Sequence, residues 1–76
     1  MNFGQWINQQ LENTGYTAYR LEIDANLGKG AVYRWTSGKH WPTYRHFMSV
    51  IDTLAKYTVT DPRDLIIDCY NKVRQS

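Results

Sequence analysis

Residues 17–42 read Thr-Ala-Tyr-Arg-Leu-Glu-Ile-Asp-Ala-Asn-Leu-Gly-Lys-Gly-Ala-Val-Tyr-Arg-Trp-Thr-Ser-Gly-Lys-His-Trp-Pro. The spacing predicts two short helices joined by a tight turn and followed by a basic loop. Thr17 is a good N-cap for the first helix, which carries Leu21 and Ala25 and ends near Asn26. Gly28 can cap the second, expected over about residues 29–37, with Val32 and Trp35 facing inward and Gly38 stopping it. A sharp turn between helices at a wide angle commonly has one residue at positive φ, and Asn26 is among the few non-glycine residues that tolerate it. Leu27 then points back to the core. Leu21, Leu27, Val32 and Trp35 lie at offsets of 6, 5 and 3 residues, which lets both helices bury one face on the same core. Lys29, Gly30, Tyr33, Arg34 and Ser37 are left on the opposite face of the second helix.

Three further helices flank this pair. Phe3, Trp6, Ile7 and Leu11 recur at helical spacing before Gly15, giving a first helix over about residues 3–13. Thr43 caps a fourth helix with apolar positions Phe47, Val50, Ile51 and Leu54. Asp61-Pro62 is an N-cap and N1 pair for a fifth, carrying Leu65, Ile66, Cys69 and Val73. The expected fold class is all-α: a compact five-helix arrangement in one domain spanning residues 1–76, with no repeat and no linker.

Composition narrows the function. A chain of 76 residues is one small domain, below the size at which a roomy catalytic cleft is expected. Its 42% hydrophobic and 14% aromatic residues suffice for a packed core. The single Cys69 cannot form an internal disulfide, and neither a secretory signal nor a long apolar run is present, so a reducing cytoplasm is the expected compartment. Net charge is +2, unevenly placed. Residues 17–46 hold Arg20, Lys29, Arg34, Lys39 and Arg45 against Glu22 and Asp24, while residues 47–76 balance four basic against four acidic side chains. The positive excess sits where a phosphate backbone would want it.

The string from Leu21 to Lys39 resembles the helix-turn-helix of the phage-repressor and Cro type, the XRE family, which favours Leu-Ala-x-x-x-Gly-Val-Ser-x-Ser-x-Val-Ser-Arg-Trp-x-x-Gly-Lys. Identities fall at Leu21, Val32, Arg34, Trp35, Gly38 and Lys39, and Leu27 substitutes for the valine. The resemblance implies a lambda-repressor-like fold whose helices 2 and 3 form the motif, and a transcriptional regulator that binds double-stranded DNA. Three departures stand out. Glu22 occupies the usual alanine position, so its side chain must bend outward or pair with Arg34. Asn26 replaces glycine. Gly28 and Gly30 replace hydroxyl residues, so helix three should begin with less capping and firm up on DNA.

On the family's docking mode helix three lies in the major groove, with Lys29, Gly30, Tyr33 and Arg34 toward base edges. Arg34 is the strongest candidate for a base contact, because guanidinium can bond guanine O6 and N7 together. Gly30 has no side chain to read with and would allow close approach. Phosphate contacts are implied at Thr17, Ala18 and Arg20 beside the start of helix two, although Ala18 cannot donate from its side chain. A second set comprises Ser37, Lys39, His40, Trp41, Thr43, Tyr44 and Arg45, at the end of helix three and the start of helix four. A homodimer on a palindromic operator would meet through helix five and the chain end, around Ile67, Tyr70, Asn71 and Val73.

Plainer readings account for other residues. Trp6 and Trp35 fit the core by their spacing, and Trp41 fits either core packing or exposure on the DNA side. His40 and His46 lack partnering cysteines, so no metal is expected, and no cofactor or small-molecule ligand is implied. Cys69 reads as an inert buried thiol, and Tyr16, Tyr57 and Tyr70 as boundary residues whose hydroxyls reach water. Asp61 is explained by capping, and Asp64 and Asp68 by a solvated face, which leaves no support for an enzyme. The competing functional class is a protein-interaction module that keeps the fold, such as an antitoxin or phage accessory protein.

Overall fold

Helix ends follow local chemistry throughout the structure, a computed structural model that describes residues 1–74, with Arg74 described by its backbone alone. α1 spans Phe3–Thr14 and begins with a reciprocal cap: Asn2 Oδ1 accepts from the Gln5 N–H, and Gln5 Oε1 accepts from the Asn2 N–H, both at 2.8 Å. Gly15, at φ 77°, ends it in the left-handed conformation. α2 spans Ala18–Asp24 behind Thr17, whose hydroxyl accepts from the Arg20 N–H. α3 spans Ala31–Thr36, and α4, over Tyr44–Thr58, starts at Thr43, whose hydroxyl accepts from the His46 N–H. α5 spans Pro62–Arg74, with Asp61 Oδ1 accepting from the Arg63 N–H at 2.9 Å. The described residues are thus all helical apart from turns and loops, with no strand among them.

Two boundaries differ from the sequence expectation. α2 ends at Asp24 rather than near Asn26, because Ala25 already closes it and Asn26, at φ 56°, turns the chain. α3 starts at Ala31 rather than near residue 29 and stops at Thr36. Gly28 is not its cap. Lys29 and Gly30 belong to the preceding turn, and Gly30 is the N-cap residue at φ 79°, a value glycine reaches without steric cost. Two glycines in three residues lower helix preference by about 1 kcal/mol each, so the helix waits for alanine.

The core lies between α1 and the other four helices. Trp6, Ile7, Leu21, Val50, Ile51 and Leu54 are fully buried, and Phe3 joins three rings, with centroids 6.0 Å from Trp6, 5.3 Å from Trp35 and 5.5 Å from Phe47. Trp6 is wholly buried, so its indole N–H needs a partner, and it donates to Asp68 Oδ2 at 2.9 Å. Asp68, expected on a solvated face, therefore ties α5 to α1 and also meets Lys72 at 3.3 Å. Tyr16 likewise departs from its expected boundary role: it is buried, stacks on Tyr57 at 4.1 Å and donates its hydroxyl to Asp24. Burial together with that bond pushes the Tyr16 hydroxyl up to about 12. Cys69 is buried as expected, and desolvation raises its thiol to about 11. No described helix is long and apolar enough to cross a membrane.

Gly4 fixes how α1 meets α3. A Cβ built there would lie 2.1 Å from the Thr36 nitrogen and 2.3 Å from Thr36 Cα, both backbone atoms that cannot swing away. Gly4→Ala should therefore cost about 2 kcal/mol or more through forced separation of the two helices. Urea denaturation measures this, and a loss under about 0.5 kcal/mol would show that the contact is not tight.

Val59 presents the opposite case. It closes α4 at φ 55° with 90% of its surface exposed, so a β-branched side chain sits in the left-handed region with almost no burial in return. Val59→Asn is expected to raise stability by about 1 kcal/mol, or about 4–8 °C in Tm for a domain of this size. An unchanged or lowered Tm would contradict that assignment of strain.

Candidate nucleic-acid interface

The chain between α2 and α3 closes by two backbone bonds, Asn26 N–H to the Ile23 carbonyl at 3.1 Å and Leu27 N–H to the Glu22 carbonyl at 2.8 Å. Leu27 packs partly buried against the core, as its position in the turn demands. From there α3 buries Ala31, Val32 and Trp35 and turns Tyr33, Arg34 and Ser37 outward. Tyr33 is 78% exposed and Arg34 is exposed beside it.

Glu22 neither bends away nor pairs with Arg34. Its carboxylate reaches across the turn, Oε1 accepting from the Gly30 N–H at 3.3 Å and Oε2 from the Val32 N–H at 3.2 Å. A negative group on these N–H donors satisfies orphan groups of the helix start and complements the helix dipole. The capping lost with the hydroxyl residues at positions 28 and 30 is thus supplied from α2, eight and ten residues away in sequence.

The other candidate residues fall in two groups, one at the start of α2 and one from the end of α3 into α4. Thr17 and Arg20 are exposed at the start of α2, with Ala18 half-buried between them. Arg20 also lies 3.6 Å from Asp24, which takes up part of its charge. Lys39, His40, Trp41, Thr43, Tyr44 and Arg45 are all exposed, running from the end of α3 into the first turn of α4. Arg45 lines a small hollow with Asn26, His46 and Ser49, so the start of α4 adjoins the α2–α3 turn. Ser49 secures that junction by donating to the Ala25 carbonyl at 2.5 Å. Ser37 is exposed but donates its hydroxyl to the Arg34 carbonyl at 2.7 Å, so it meets a partner only by changing rotamer. Lys29 and Gly30 precede α3 rather than lie on it, and Gly30 is half-buried. The structure therefore brings the Arg34 guanidinium to the Lys29 carbonyl with Tyr33 exposed on the same helix, and leaves the phosphate candidates in two groups, one at the start of α2 and one from the end of α3 into α4.

Trp41 is 67% exposed, which removes it from the core, yet one side of its ring borders an apolar groove of about 310 Å³ with Phe47, Ile66, Cys69, Tyr70 and Val73. Ile67 and Tyr70, named for a subunit contact, are each 58% exposed on α5, and Asn71 is exposed beside them. Val73 is half-buried and packs against the core. The chain end at residues 75–76 lies outside the described residues. Among the described residues no group of three or more His, Cys, Asp or Glu gathers that could hold a metal ion.

Further contacts that hold α3, without a signal in the sequence, lie at its far end. Asn2 Nδ2 donates to the Thr36 carbonyl at 3.4 Å, and Asn8 Nδ2 to Thr36 Oγ1 at 3.2 Å. The Asn2-x-x-Gln5 pattern could have disclosed Asn2 as a cap, but no local signal points to Thr36. Comparisons with family models, curated proteins and solved structures find no match for this chain.

Glu22→Ala, by removing both acceptors, should destabilise the protein by about 1–2 kcal/mol, with Glu22→Gln recovering part of the loss through its remaining carbonyl oxygen. Equal stability of all three proteins in urea would refute the capping role.

Proposed function

We propose that the protein is a sequence-specific, duplex-DNA-binding regulator with a lambda-repressor-like helix-turn-helix formed by α2 and α3. The observation that carries this reading is the outward face of α3: Tyr33 and Arg34 stand exposed on a helix held by Glu22, with exposed Arg20 in the first turn of α2 and exposed Lys39 and Arg45 between the end of α3 and the first turn of α4. A six-residue helix projecting a guanidinium and a phenol suits the major groove, and the exposed cations beside it suit the phosphates. Thr17 and Thr43 accept at the helix starts through their oxygens, which leaves each hydroxyl proton free to donate to a phosphate. The binding role requires no catalysis, cofactor or metal, and a DNA-bound regulator would work in the cytoplasm at the nucleoid.

A homodimer is part of this proposal, with Ile67 and Tyr70 of α5 supplying the apolar contact and each protomer taking one half of a palindromic site. The apolar groove beside Trp41 also favours a second reading, a protein-interaction module such as an antitoxin or phage accessory protein.

Fluorescence anisotropy with random-sequence duplexes across a salt series separates the two readings. DNA binding requires measurable affinity at low ionic strength that falls steeply as salt rises, with log K linear in log salt. Lys39→Ala should weaken every sequence alike and reduce the salt slope by about one, whereas Arg34→Ala should abolish preference between sequences and leave non-specific binding. Absence of salt-sensitive affinity at low ionic strength would leave the protein-interaction reading standing.

A further inference from the structure

The Gly28-Lys29-Gly30 turn and the Arg34 side chain meet in a way that the groove-reading proposal alone does not require. Arg34 Nη1 donates to the main-chain carbonyl of Lys29 at 3.1 Å, so the side chain folds back over the turn. The two glycines leave room for it: the nearest atom to a Cβ built at Gly28 is Arg34 Nη2 at 3.5 Å, and at Gly30 it is Arg34 Nη1 at 3.8 Å. No carboxylate among the described residues forms an ion pair with this guanidinium, because Glu22 is spent on the start of α3. The carbonyl of Lys29 therefore sets where the charged group lies.

We infer that this turn is a seat that orients Arg34, so that position 29 governs base specificity through its main-chain carbonyl and not through its lysine side chain. The inference rests on the proposed DNA-reading role of α3. An arginine carries large rotamer freedom, and recognition by a planar fork improves when that freedom is restricted before binding. One N–H engaged by Lys29 leaves the Nε–Nη2 edge available for a two-acceptor target such as guanine O6 and N7. The lysine ammonium, on a long exposed side chain, then supplies charge to the phosphates without choosing among bases. A side chain longer than alanine at 28 would occupy the space in which the guanidinium rests.

The test is selection from a pool of randomised duplexes, run in parallel for the wild type, Arg34→Lys, Gly28→Ala, Gly28→Leu and Lys29→Ala, followed by affinity measurements on the selected site and on random DNA. Arg34→Lys keeps the charge and loses the fork, so it identifies the base pair that Arg34 reads. Gly28→Leu should lose about tenfold or more of the preference at that same base pair while keeping affinity for random DNA within about twofold. Gly28→Ala, whose Cβ fits at ordinary contact distance, should keep the preference. Lys29→Ala should select the wild-type site with lower affinity for all sequences. Full preference in Gly28→Leu, or loss of that base pair in Lys29→Ala, would overturn the seat while leaving the DNA reading intact. Failure of the wild type to select any sequence would overturn both. A measurement without DNA guards against a misfolded Gly28→Leu: the Arg34 Nε–H group should be more ordered in NMR relaxation than that of exposed Arg45, and equal mobility of the two would also refute the seat.

Discussion

A helix of six residues cannot hold itself together in water, since nucleation is unfavourable and fewer than two turns follow it. Everything that presents α3 must therefore come from elsewhere in the chain. Gly4 lets α1 approach the backbone at Thr36, and Asn2 and Asn8 bond the carbonyl and hydroxyl of that residue. Glu22 of α2 holds the other end. The helix is clamped at both termini and buried along one side through Ala31, Val32 and Trp35, which leaves only its outer face to respond to a partner.

The same dependence organises the remaining helices. α1 can hold the end of α3 only if α1 is itself fixed, and the buried Trp6 does this twice, through its ring in the core and through its N–H on Asp68 of α5. Phe3 extends the arrangement from Trp6 to Trp35 and Phe47, so α1, α3 and α4 share one aromatic cluster. Ser49 joins α4 to the last carbonyl of the α2 region. A large share of the molecule is thereby committed to placing a very short helix, which is the division of labour expected when a rigid scaffold supports a small contact surface.

The helices were legible in the sequence because their signals are local. Thr17, Thr43 and Asp61-Pro62 mark three starts by short-range hydrogen bonding, and apolar spacing marks the buried faces of α1, α4 and α5. The interactions that position α3 were not legible because each joins residues far apart in the chain. Glu22 looked like a misfit at a crowded position, and only the folded turn brings its carboxylate to Gly30 and Val32. No local signal marks Gly4, whose necessity depends on a backbone thirty-two positions later. Asp68 read as a surface carboxylate for the same reason. Gly28 has the residue type of a cap, but the left-handed residue is Gly30, so α3 starts later than the spacing predicts.

Glu22 also bears on how the surface could discriminate. Its negative charge lies at the start of α3, the end that the proposed docking directs toward base edges, so that end gains less from generic attraction to phosphate than an uncharged cap would allow. Of the exposed cations, Lys39 follows the end of the helix, Arg45 lies beside the α2–α3 turn and Lys29 lies in the turn before α3. On the proposed docking, non-specific attraction would come from these cations, since every sequence presents the same backbone. On that docking, discrimination would fall to Arg34 and Tyr33, whose hydrogen bonds depend on the base presented. Were the protein to dock in this way, the cations around α3 would set residence on DNA, and the capped helix would make the choice of site depend on hydrogen-bond geometry.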